Sequence, residues 1–350
     1  MADNDDAANV LPALNGRLQF RIAYNYRTSQ EILAFIDTVA NSRDPGGEYG
    51  IVEEWRGNHL RNIRDGIRSL YLNGPGYEAP DPPQHIRRTE NTSRNARCPL
   101  NVENYVFPRR HRIFSVYDLL AIFLSLAPAP IGATRATFYY PWTVVFIRWS
   151  TIMTAFGGDY RVGGKVPTMY QCTWRTEPGR QSRFFIGTVL AGMVTVGRPS
   201  GANRNPWVRT LRRARFAHLT HNGQENGQVV GARRWAYGQS PKFDDTPEAG
   251  WNFGNCAETH PFVELVQDAD PVGRSRCYGF AVRPSEVFGG QPLANLEAML
   301  AMEYCKLKFT NMALPCLNCK EMINEVYHCR YFNFVPLPDH LIALFIAQPV

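Results

Sequence analysis

The sequence predicts an α/β protein: a mixed β-sheet flanked by helices in the last third of the chain, behind a larger α+β region of undefined fold. Three observations lead there. Runs rich in β-branched and aromatic residues, at 183–196, 229–237 and 275–283, read as strands. Amphipathic helical spacing occupies 55–72 and 293–304. Two short cysteine-bearing segments, at 254–260 and 314–320, each open on residues that favour a helix start. At 350 residues the chain is long enough for two domains. The expected division is a loose leader over 1–16, a basic N-terminal region over 17–225 and a C-terminal domain over 226–350.

In chain order, the first helix is expected from Gln30, with Ser29 as its N-cap and Ile32, Leu33, Phe35 and Ile36 as apolar positions. The next, over 55–72, puts Leu60, Ile63, Ile67 and Leu70 on one face and Arg56, Arg61 and Arg64 elsewhere. Residues 74–97 carry Pro75, Pro80, Pro82 and Pro83 and read as linker. Residues 115–126 form a buried helix stopped by Pro128 and Pro130, and 138–152 are dense in aromatic and β-branched residues. After the strands at 183–196 and 229–237, residues 241–254 form a connecting loop. Beyond it lie strands at 275–283 and 306–312, a helix at 293–304, a second cysteine helix to about Tyr327, and a strand at 330–336.

The charge is unevenly distributed. Before Phe243 there are 31 basic and 18 acidic side chains, and from Phe243 onward 7 and 13, so the two parts carry +13 and −6. The basic part suits a polyanion. Asp118 and Arg148 interrupt the most apolar stretches, so no membrane span is expected. The acidic start and the sparse eight cysteines point to a reducing cytoplasmic or nuclear setting.

The chemistry concentrates in Gly254-Asn255-Cys256-Ala257-Glu258-Thr259-His260 and Leu314-Pro315-Cys316-Leu317-Asn318-Cys319-Lys320. Pro315 suits the first turn of a helix, which would carry Cys316 and Cys319 on one face, and Asn255 suits an N-cap for a helix carrying Cys256 and Glu258. Three cysteines can supply three corners of a tetrahedral zinc site and leave the fourth for water. Glu258, two residues from Cys256, can stand beside that metal without ligating it and move a proton to and from an activated water. A structural zinc site, a redox pair or core cysteines would explain the cysteines but not the carboxylate.

Cysteine, spacer, glutamate and a later Pro-Cys-x-x-Cys resembles the signature of the zinc-dependent cytidine deaminase superfamily, in its toxin-like or fungal nucleic-acid branch. The resemblance covers about a third of the chain, from residue 229 onward. It implies a cytidine deaminase-like sheet, Zn²⁺ as cofactor, Cys256, Cys316 and Cys319 as ligands, and Glu258 as proton shuttle. The implied reaction is hydrolytic deamination of cytosine to uracil in single-stranded DNA or RNA. The alternatives are deamination of a free cytidine, deoxycytidine or nucleotide, and a non-catalytic zinc-stabilised nucleic-acid-binding module. The 60 residues between Cys256 and Cys316 exceed the family's usual gap and imply an insertion.

By the same resemblance, Trp251, Phe253, Asn255 and Ala257 would shape the base pocket, and the carbonyl of Leu314 would receive the substrate amino group. Arg209, Arg212, Arg213, Arg215, Arg233 and Arg234 belong to a basic run at 198–234, interleaved with Trp207, Phe216 and Trp235 and opposed only by Glu225. Such a run fits phosphate contact with base stacking, or simply a solvated face. His260 is expected as a surface or capping histidine. The other cysteines are expected as small buried hydrophobes.

Overall fold

The computed structural model describes residues 10–72, 115–154, 167–189, 215, 256–267, 269–284 and 312–335. The N-terminal helices are α1 (Phe20–Asn25), α2 (Ser29–Ala40), α3 (Pro45–Tyr49) and α4 (Asn58–Leu72). Helix α2 starts where its local chemistry dictates, one residue earlier than the spacing alone suggests. The Thr28 hydroxyl accepts from the Glu31 amide at 3.3 Å while the Glu31 carboxylate accepts from the Thr28 amide at 2.8 Å, a reciprocal capping box. Leu60, Ile63 and Ile67 of α4 are buried, as their spacing requires.

Two further helices, α5 (Val116–Leu124) and α6 (Tyr140–Thr154), are apolar all round and form the centre of the core. Ser115 caps α5 by accepting from the Asp118 amide at 3.2 Å. One π-turn, Arg135–Tyr139, leads into α6. Arg148, which interrupts the apolar pattern of α6, is buried with its guanidinium 4.5 Å above the Tyr24 ring, and the Trp149 indole donates to the Ala23 carbonyl at 2.8 Å. Among the described residues no helix is long and apolar enough to cross a membrane.

The sheet contains β1 (Tyr170–Arg175), β2 (Arg183–Thr188), β3 (Cys277–Val282) and β4 (Met312–Ala313) in the order β2-β1-β3-β4. The architecture is mixed α/β, but the described sheet differs from the mixed one expected: every neighbouring pair among the described strands is antiparallel. Strands β2 and β3 point the same way, and β1 lies between them, so no parallel ladder forms among the described strands. The first two strands precede residue 225 and the last two follow it. One sheet therefore joins the basic region to the cysteine-bearing one.

Its two faces differ in side-chain size. Tyr170, Cys172 and Trp174, with Phe184, Ile186 and Phe280, face the aromatic side of α6 and its π-turn; Tyr139 stacks on Trp174 at 4.2 Å and Phe146 meets Tyr170 edge-on at 5.3 Å. The other face carries Phe185 but otherwise Gln171, Thr173, Gly187, Gly279 and Ala281, and these small or polar residues let other elements approach closely. Helix α5 covers the outer edge of β2, where Ser125 Oγ accepts from the Ile186 amide at 3.2 Å.

The segment at 330–336, expected as a strand, is instead a 3₁₀ turn over Tyr331–Phe334. Two contacts explain the difference. Phe334 packs on the small face beside Gly279 and edge-on to Phe262 at 5.7 Å, and the buried Asn333 amide donates to the Ser275 and Cys277 carbonyls at 3.2 and 3.0 Å. The chain thus closes over the start of β3 rather than joining the edge. Removing this amide strands two carbonyls, so Asn333→Ala is expected to lower stability by about 1–3 kcal/mol, read as a lower denaturation midpoint at constant slope.

Candidate metal centre

On the small face of the sheet, residues 256–258 form a turn that enters α7 (Thr259–Phe262), which continues as a π-turn over Val263–Gln267. The helix begins after Glu258, so Cys256 and Glu258 lie on the turn leading into it and not within its first turn as expected. The Cys256 carbonyl holds this geometry. It accepts from the Thr259 amide at 3.2 Å, the Thr259 hydroxyl at 2.8 Å and Arg215 Nη2 at 3.0 Å. Downstream, helix α8 (Pro271–Ser275) leads into β3. Strand β4 then runs through Leu314 and Pro315 to Cys316 and helix α9 (Leu317–Glu321), which continues as a π-turn to Val326.

These two segments, 60 residues apart in the chain, meet. Cys256 Sγ lies 3.3 Å from Cys316 Sγ, Cys316 Sγ lies 3.4 Å from Cys319 Sγ, and all three sulfurs fall within 4.8 Å of one another. Separations above 3 Å exclude a disulfide, whose bond is about 2.05 Å. They suit a metal: Zn–S bonds of about 2.3 Å place tetrahedral sulfurs roughly 3.8 Å apart, so a small opening of the cluster accommodates the ion. Cys319 is buried, whereas Cys256 and Cys316 are partly accessible.

Glu258 is buried beside them, 5% exposed. Burial, reinforced by the neighbouring Cys316 sulfur, pushes its carboxyl up to about 7, against hydrogen bonds from its own amide and from the Cys319 thiol and the attraction of Arg215. The Cys256 thiol is raised well above its ordinary value, first by its hydrogen bond with Cys316, and the Cys319 thiol is raised first by burial. Packed thiols of this kind resist ionisation until a cation joins them, and a dication among three sulfurs reverses the tendency. The donor set thus fits a thiophilic metal such as zinc.

Arg215 is expected in a basic run that either contacts nucleic acid or forms a solvated face. It is instead wholly buried against this site, with Nη2 on the Thr188 carbonyl at 2.7 Å as well as on that of Cys256. That position removes it from an exposed phosphate-binding surface. His260, expected at the surface, is also buried, with Nε2 3.4 Å from Asp118 Oδ1. Asp118 was read only as a break in an apolar stretch; it joins the site because α5 lies along the edge of β2. Nothing in the spacing of residues 118, 215 and 260 announces their meeting.

Ala257 is buried in the turn, and Leu314 is 62% exposed just before the second cysteine segment. Trp251, Phe253, Asn255, Arg209, Arg212, Arg213, Arg233 and Arg234 lie outside the described residues, as do the segments expected as a strand at 229–237 and a helix at 293–304. Cys172, Cys277 and Cys329 are buried as small hydrophobes, as expected. No protein-family model, curated protein or solved structure matches this chain.

Proposed function

We propose that this protein is a zinc-dependent deaminase that converts cytosine to uracil and ammonia in single-stranded DNA or RNA. The observation carrying the proposal is the convergence of Cys256, Cys316 and Cys319 beside the buried Glu258. A purely structural zinc site has no use for a carboxylate kept dry next to three sulfurs. The order of Cys-x-Glu and Pro-Cys-x-x-Cys, with a strand leading into the second segment, also accords with the cytidine deaminase superfamily.

When bound, zinc supplies Lewis-acid activation of the attacking water. The chain supplies the rest. Glu258 accepts one proton from that water and delivers it to N3 of the base, then takes the remaining proton of the added hydroxyl and delivers it to the amine as the C4–N bond breaks, so that cytosine and water become uracil and ammonia. A carboxyl buried beside the three sulfurs can hold a proton between accepting it from the water and returning it to the base. The Leu314 carbonyl, at the exposed mouth of the second cysteine segment, accepts from the exocyclic amine and orients the base.

The excess positive charge before Phe243 supports a polynucleotide substrate. One observation favours a free pyrimidine nucleoside instead: Arg215, the only described member of the basic run, is buried. Ionic strength separates the two. Activity on an oligonucleotide is expected to fall roughly tenfold or more between about 50 and about 200 mM salt, while activity on free cytidine barely changes. The test incubates purified, zinc-assayed protein with single-stranded oligonucleotide, duplex and cytidine and reads uracil by mass. Bound zinc without uracil from any substrate would overturn the deaminase reading and leave the non-catalytic module.

A further inference from the structure

We infer that Arg215 and Asp118 are positioning residues of the metal centre, fixing the peptide that follows Cys256 so that its thiol faces those of Cys316 and Cys319. The inference rests on the metal-binding part of the proposed function and not on the identity of the substrate.

The guanidinium of Arg215 is shielded from water, and among the described residues its hydrogen bonds run through Nη2 alone. Its Nη2 bridges two carbonyls, Thr188 at the end of β2 and Cys256 on the ligand turn, at 2.7 and 3.0 Å. Its Nη1 lies 3.9 Å from Asp118 Oδ1. Asp118 is itself fixed from both sides: Ser115 Oγ donates to its Oδ2 at 2.9 Å, and His260 Nε2 lies 3.4 Å from its Oδ1. A single buried carboxylate therefore reaches α5, residue 215 and α7, three parts of the chain that share no local sequence.

Burying an unpaired guanidinium or carboxylate costs several kcal/mol, so these two charges are retained at this depth only as partners. What they hold is specific. The Cys256 carbonyl is gripped by Thr259 from its own turn and by Arg215 from outside, which leaves the Cys256 peptide little freedom to rotate. A planar guanidinium can span two carbonyls and an acid at once, whereas a lysine ammonium offers the same charge without the fork. The ligand turn is thereby fastened to the end of β2 and to an N-terminal helix, and metal binding depends on the basic half of the chain.

The test measures zinc affinity of the full chain by competition with a chromophoric chelator, and records the thiolate-to-cobalt charge-transfer band after loading with Co²⁺. Arg215→Met and Asp118→Asn are expected to weaken zinc binding by about 10- to 100-fold and to alter the cobalt band, and Arg215→Lys is expected to recover little of the loss. The double variant Asp118→Asn/Arg215→Met is expected to lose less than the sum of the singles, because the two act as a unit. Asn333→Ala, destabilised away from the site, is expected to bind zinc within twofold of wild type. Folded Arg215→Lys and Asp118→Asn proteins that bind zinc as tightly as wild type, with an unchanged cobalt band, would overturn the inference and reduce the pair to a structural one. A wild-type chain that binds no zinc would defeat the metal centre itself, so the two failures are distinguishable.

Discussion

Glu258→Gln is expected to abolish most cytosine deamination, by a factor of roughly 10²–10⁴, while zinc binding stays within a few-fold of wild type. Glutamine fills nearly the same volume, but it cannot take a proton from water and return it to N3 or to the leaving amine. The fold is expected to tolerate the change. Glu258 is 5% exposed and burial opposes its charge, so an uncharged isostere removes a desolvation cost and the denaturation midpoint stays level or rises. Glu258→Ala removes the same proton carrier and leaves a void, so it is expected to match the loss of activity with a lower midpoint. Uracil release by both variants at the wild-type rate, with zinc bound, would show that the carboxylate carries no proton in the reaction.

The three-cysteine cluster was legible in sequence because its parts are local: Cys-x-Glu and Pro-Cys-x-x-Cys each place their groups within one turn of backbone, and only their meeting needs the fold. The helix at 58–72 was legible from its amphipathic spacing, and the helix at 116–124 and the strands at 183–188 and 277–282 from their dense apolar runs. Strand β1 was not anticipated, although Tyr170, Cys172 and Trp174 alternate with Gln171, Thr173 and Arg175 as a two-sided strand should. Alternation of this kind ordinarily marks a strand with one solvated face, yet Gln171 and Thr173 are buried on the small face of the sheet. The Asp118, Arg215 and His260 assembly was illegible for a stronger reason. Arg215 and His260 sit in segments with a plausible surface reading, Asp118 sits in a helix read as buried, and only the alignment of α5 along β2 turns three isolated polar residues into one buried network.

The same close packing makes a residue with no chemistry of its own a sensitive point. Gly187 faces the ligand turn from β2, and a Cβ there would lie 2.3 Å from the Ala257 carbonyl oxygen and 2.7 Å from Pro261 Cδ. Neither atom belongs to a flexible side chain: the first is backbone between Cys256 and Glu258, and the second is a ring fixed in α7. Gly187→Ala must therefore push the turn off the sheet by the better part of an ångström, against the grip of Arg215 on Cys256. Gly279 offers the matched control on the same face. Its added Cβ would meet Gln171 Nε2 at 2.6 Å and Phe334 Cδ1 at 2.8 Å, both side-chain atoms and neither part of the ligand turn. Both alanine variants are expected to lose about 1–3 kcal/mol of stability through overpacking. Only Gly187→Ala is expected to lower turnover as well, by roughly a hundredfold, because a displacement near 1 Å separates Cys256 and Glu258 from the groups they must meet. Equal activity losses in the two variants, scaling with stability alone, would mean that the turn carries no geometric demand of its own.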